Sequence, residues 1–150
     1  MVQGVAALKR RFNNVPKVVR DALVRQIAKE ANKLVAQMNA IKPNAAIEID
    51  WTWGDAPEGS LTIARTSRGG DFGKISATIF ATAKTGEFPA GFSALAVWFE
   101  FGTAERVQKT TGRRTGRILA SPYFFPTYRA NRSNIRRNLT GAVRRAIKKA

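Results

Sequence analysis

The sequence predicts an α+β fold: N-terminal helices, an antiparallel β-sheet, a basic arm or hairpin, and a C-terminal helix. Three observations carry this. A helical period near 3.6 residues runs from Val19 to Met38, a two-residue alternation from Ile47 to Trp53, and a four-residue spacing from Ile135 to Ile147. With 150 residues, 44% of them apolar, the chain is long enough for one real core and too short for two ordinary domains. Residues 1–150 are therefore read as a single domain.

Val5, Leu8 and Phe12 stand at helical spacing before Asn13-Asn14 and Pro16, which predicts a short helix, a stop and a restart. From Pro16 to about Asn39, Val19, Leu23, Ile27, Leu34 and Met38 form an apolar stripe that Ala31 and Val35 widen. Lys17, Arg20, Arg25, Lys29 and Lys33 occupy the opposite face, and Lys42-Pro43-Asn44 ends the helix.

The period then changes. Ile47, Ile49, Trp51 and Trp53 alternate with Glu48, Asp50 and Thr52, as in a half-buried strand. Gly54–Gly59 reads as a turn, with Leu61–Ala64 as the returning strand of a hairpin. Ser67–Gly73 is a second loop, Ile75–Ala83 a third strand, and Lys84–Gly91 a further loop. Phe92–Phe101 reads as a short helix capped by Gly102. An extended basic arm or hairpin follows at about 104–118, with Thr110-Thr111-Gly112 at its tip. Ala120–Pro126 is an aromatic stretch between two prolines, and a last helix runs from about Thr127. Its stripe of Ile135, Leu139, Val143 and Ile147 drifts around the helix.

The chain has no His and no Cys, which excludes disulfides, thiolate or imidazole metal centres, and nucleophile–imidazole pairs. The longest apolar stretch, around Phe92–Phe99, is too short for a membrane span, and Met1–Phe12 lacks a signal-peptide core. A soluble intracellular domain without membrane contact is the expectation.

Charge is unevenly placed. Met1–Pro43 holds nine basic and two acidic residues, Asn44–Glu105 four basic and eight acidic, and Arg106–Ala150 thirteen basic and none acidic. The net charge is +16. A carboxylate-free run of 45 residues must face water, an acidic surface or a polyanion. The segment Lys109–Arg117, with Lys109, Arg113, Arg114 and Arg117 on Gly and Thr, is the strongest polyanion signal, since such cations follow phosphates without reading bases.

The paired carboxylates Glu48 and Asp50, with Asp55 and Glu58 nearby, are the best acid–base or divalent-cation candidates. With no His to shuttle protons they read as a solvated hairpin face, so no catalysis, cofactor or metal is expected. Gly69–Ile75 fails as a phosphate loop: Ile75 stands where Ser or Thr belongs, and a strand follows instead of a helix. Tyr123, Phe124, Phe125 and Tyr128 read as core or interface anchors in preference to base-stacking groups.

Three segments together carry a resemblance. They are the run Val5…Leu8…Phe12…Pro16…Leu23…Ala31…Met38…Pro43, the motif Trp98-Phe99-Glu100-Phe101-Gly102-Thr103, and Ala120-Ser121-Pro122-Tyr123-Phe124-Phe125-Pro126 before a closing helix. In these, nearly the whole chain resembles the neck or tail-completion proteins of long-tailed bacteriophages, similar to the Z-type minor tail component. The departure is the longer basic insertion between the two later motifs. Glu100, Phe101, Gly102, Thr103, Pro122, Phe124, Phe125 and Pro126 are the signature positions, and their chemistry points to fold roles. Phe99 or Phe101 is an anchor, Gly102 permits a left-handed turn, and the prolines fix the path of the aromatic run.

The resemblance implies a structural virion protein of the head–tail junction, made in the host cytoplasm. It implies a ring of six copies around the DNA channel, joined to head-completion or stopper proteins and to tail-tube or terminator proteins. Lys109, Arg113, Arg114 and Arg117 are then expected at subunit contacts or facing the DNA. The alternatives are a tail-terminator ring and a sequence-independent nucleic-acid-binding domain.

Overall fold

The computed structural model describes residues 4–63, 75–83 and 94–149, and it is α+β. Helix α1 spans Gly4–Ile41, strand β1 Ile47–Trp53, β2 Leu61–Ile63 and β3 Ala77–Ala83. Helix α2 follows at Ala94–Phe101, a short hairpin of β4 (Arg106–Val107) and β5 (Arg114–Gly116), and helix α3 at Phe125–Lys149. The loops expected at Ser67–Gly73 and Lys84–Gly91, Ala64 of the returning strand, and Phe92 and Ser93 of the expected α2 lie outside the described residues.

The expected stop near Asn13-Asn14 does not occur. Helix α1 is continuous for 38 residues, about 57 Å at 1.5 Å per residue, with Pro16 inside it. Proline removes one backbone donor, which costs the helix locally, but intact turns continue on both sides. Ile41 ends it, just before Lys42-Pro43 as the sequence indicates.

The second correction concerns strand order. The sheet runs β1-β3-β2, so β1 and β2 are not a hairpin; β3 lies between them, antiparallel to both. Ile47 pairs with Ala83 and Trp53 with Ala77, while Leu61 pairs with Ala81 and Ile63 with Ile79. The continuous small and apolar run of β3 suits the central place, and polar alternation suits β1 at the edge. Gly54–Gly59 therefore passes the end of β3. Gly54 N–H donates to Ser76 O at 3.0 Å, and the Thr78 hydroxyl donates to Gly54 O.

The outer edge of β1 is occupied by side chains of its own chain. Lys42 Nζ donates to Ile47 O at 2.7 Å and Asn39 Nδ2 to Ile49 O at 3.1 Å. Trp51 N–H donates to the Asp50 carboxylate at 2.8 Å.

Ile47, Ile49, Ile63, Ile79 and Ala81 turn one sheet face toward Leu34 and Met38 of α1, Ala96 of α2, and Tyr123 and Phe124. Glu48 and Asp50 are exposed on the other face. Helices α1 and α3 pack antiparallel: Tyr128, Ile135 and Leu139 border one groove with Ile27, Ala31 and Leu34, and Ala142 and Ala146 border another with Val18 and Ala22. The face of α3 differs from the four-residue stripe. Ala142 and Ala146 are buried, and Ile147 is 53% exposed. Each four-residue step advances about 40° around a helix, so the stripe has left the interface by its last member.

Glu30 is a polar member of this interface, only 7% exposed. Its Oε1 accepts from Gln26 Nε2 and from Asn138 Nδ2, both at 2.8 Å, which ties α1 to α3.

Candidate functional site

The two signature segments meet in space, and Glu100 joins them. It is the penultimate residue of α2 and is 2% exposed. Its Oε2 accepts the backbone N–H groups of Tyr123 and Phe124, each at 2.9 Å, and its Oε1 that of Phe125 at 3.0 Å. Phe125 begins α3, so the carboxylate supplies acceptors for donors that a helix start leaves unmatched. Its negative charge also complements the positive end of the helix dipole. Among the described residues, no buried side-chain N or O atom lacks a partner.

Gly102 closes the joint. Its φ is +77°, and a Cβ there would stand 3.0 Å from Ala120 N and 3.2 Å from Ile118 O. Glycine meets both demands, conformation and space. Thr103 N–H donates to Ile118 O, and the Thr103 hydroxyl accepts from Ile118 N–H, both at 2.9 Å. Ser121 N–H donates to Phe99 O at 2.7 Å.

The aromatic run divides. Tyr123 and Phe124 are buried, Phe99, Phe125 and Tyr128 are half-buried against the core, and Phe101 is 62% exposed. Phe99 is thus the anchor. Phe101 lies over Phe125 with ring centroids 5.7 Å apart. Pro122 and Pro126 are exposed at the two ends of the run.

Burial raises the Tyr123 phenol above its ordinary value of about 10, and the Glu100 carboxylate adds to the shift. The fold favours the neutral phenol, so this contribution to stability is whole below pH 10 and is lost as pH rises beyond it. Alkaline unfolding of Tyr123→Phe is expected to begin at higher pH than that of the parent. Identical alkaline profiles would remove Tyr123 as the linked group.

From this joint the basic hairpin projects. Gln108 N–H donates to Arg113 O and Gly112 N–H to Gln108 O, both at 2.9 Å, with Gly112 at φ +64° in the turn. Lys109, Arg113, Arg114 and Arg117 are all exposed. One of them has a partner near in sequence. Arg114 stands 3.6 Å from Glu105, the residue just before the carboxylate-free run. Arg106 lies over the Trp98 ring, 4.3 Å from its centroid, a cation–π contact that holds the first strand to α2.

The carboxylate candidates are not brought together. Glu48 and Asp50 lie on the exposed sheet face, Asp55 and Glu58 on the loop beyond it. Among the described residues, no three acidic groups gather in a way that would hold a metal ion. Among the same residues, no helix is long and apolar enough to cross a membrane. Comparisons of the chain with protein-family models, curated proteins and solved structures found no match.

Two features escape sequence reasoning. Glu30 sits within the apolar stripe between Ile27 and Leu34, and that misplaced carboxylate is the available signal. The placing of Arg25, Lys29, Arg145 and Lys149 around one groove has no local signal, because the two pairs are far apart in sequence.

Proposed function

We propose that the chain is a structural protein of the phage head–tail junction, a neck or tail-completion protein. In the virion its copies close into a ring of six that joins the DNA-filled head to the tail. The observation that carries this reading is the joint itself. The two segments that resemble the family's signatures are one structural unit, with Glu100 of the first capping the helix that follows the second.

The surface charges support contacts between copies. A ring uses two different patches on each subunit, and the exposed Glu48 and Asp50 face and the cationic hairpin are opposite in sign. The hairpin is read as a clamp on neighbouring subunits or on the ring above or below. Catalysis has no part in this proposal.

The purified chain, weighed in solution and imaged, is expected to form closed rings of six. A chain that stays monomeric at every concentration and coats DNA without closing would overturn the reading. It would favour a sequence-independent nucleic-acid-binding domain, which the thirteen basic residues after Glu105 also support.

A further inference from the structure

We propose that the groove between α1 and α3 binds the phosphodiester backbone of nucleic acid, at a place separate from the hairpin. The groove, of about 310 Å³, is lined by residues of both helices, small side chains among them. Ala142 and Ala146 form part of its floor and are buried. Arg25 and Lys29 line it from α1, Arg145 and Lys149 from α3. In each pair the residues are one helical turn apart, about 6 Å along the axis, close to the phosphate-to-phosphate spacing along a nucleic-acid strand.

Among the described residues, nothing neutralises these four cations. None makes a hydrogen bond or an ion pair among the described residues. No carboxylate lines the groove: Asp21 is exposed outside it, and Glu30 is turned inward onto Gln26 and Asn138. Four like charges held together by two packed helices repel one another, and a line of phosphates relieves that repulsion while releasing counterions. Apart from Gln26 the lining offers only cations and small apolar groups. That composition follows a repeated phosphate and has little with which to read a base or an acidic peptide.

The site stands independently of the ring proposal and is measured on the purified chain with a short labelled DNA duplex of random sequence. R25Q/K29Q/R145Q/K149Q is expected to weaken binding about tenfold or more at moderate salt. The slope of log K against log salt should fall by about 0.9 for each phosphate that the variant no longer neutralises. R129Q/R132Q/R136Q/R137Q removes the same charge from positions of α3 outside the groove and is expected to weaken binding much less. If the fourfold groove variant fails to fold, K29Q/R145Q carries the same expectation with about half the change in slope. Equal weakening in groove and control variants would reduce the effect to net charge and overturn the proposal, as would unchanged binding.

Discussion

Glu100→Ala is expected to destabilise the protein by about 3–5 kcal/mol, because three backbone N–H groups lose a charged acceptor at a buried helix start. In a chain of this length that corresponds to a fall in Tm of roughly 6–20 °C. Glu100→Gln should fall between. Its carbonyl oxygen can still accept from one side of the cluster, but its amide group is itself a donor and meets another donor. Denaturant unfolding distinguishes this from a change in compactness: the midpoint should drop while the m value holds. A midpoint unchanged in Glu100→Ala would show that water replaces the carboxylate at no cost, and the joint would lose its central member.

The second large effect is functional. On the proposed head–tail reading, R113Q/R114Q/R117Q is expected to abolish the joining of heads to tails while leaving the isolated chain as stable as the parent. All three side chains are exposed, and the ion pair of Arg114 with Glu105 is a surface contact that contributes little. Particles that join but leak their genome would mean that the hairpin grips DNA instead of clamping proteins. The clamp is the better reading, since a tight grip would oppose the exit of DNA through the channel. Normal joining with normal retention would defeat both versions.

The parts of this fold legible in the sequence are those whose signal is local. Ile47, Ile49 and their polar neighbours declare a half-buried strand, and Gly102 marks the end of α2. Strand order is not legible in the same way. β1 and β2 are near in sequence with a turn-like segment between them, yet β3 takes the place between, a choice made by long-range burial. Helix α1 runs through Pro16 because one missing donor does not outweigh the turns on either side. The packed face of α3 is hidden from a hydropathy pattern because its buried positions Ala142 and Ala146 are alanines, which carry little signal. As for the site, the hairpin cations and the signature positions are visible in the sequence. The capping role of Glu100 is not, because a carboxylate from another helix has no spacing rule to reveal it.

The occupied edge of β1 bears on how such a subunit waits. An open strand edge of this length is a template for any other extended chain, and copies at high local concentration would zip together in whatever register they first found. Here Lys42, Asn39 and Asp50 fill hydrogen-bonding positions that an incoming strand would need. Backbone zippering on that side is thereby discouraged, and recognition between copies falls to side chains. Contacts of that kind form and dissolve with ionic conditions, so a mispaired copy can leave and try again. If the chain is the ring subunit proposed above, such an edge leaves its copies free to be placed when their assembly partner arrives.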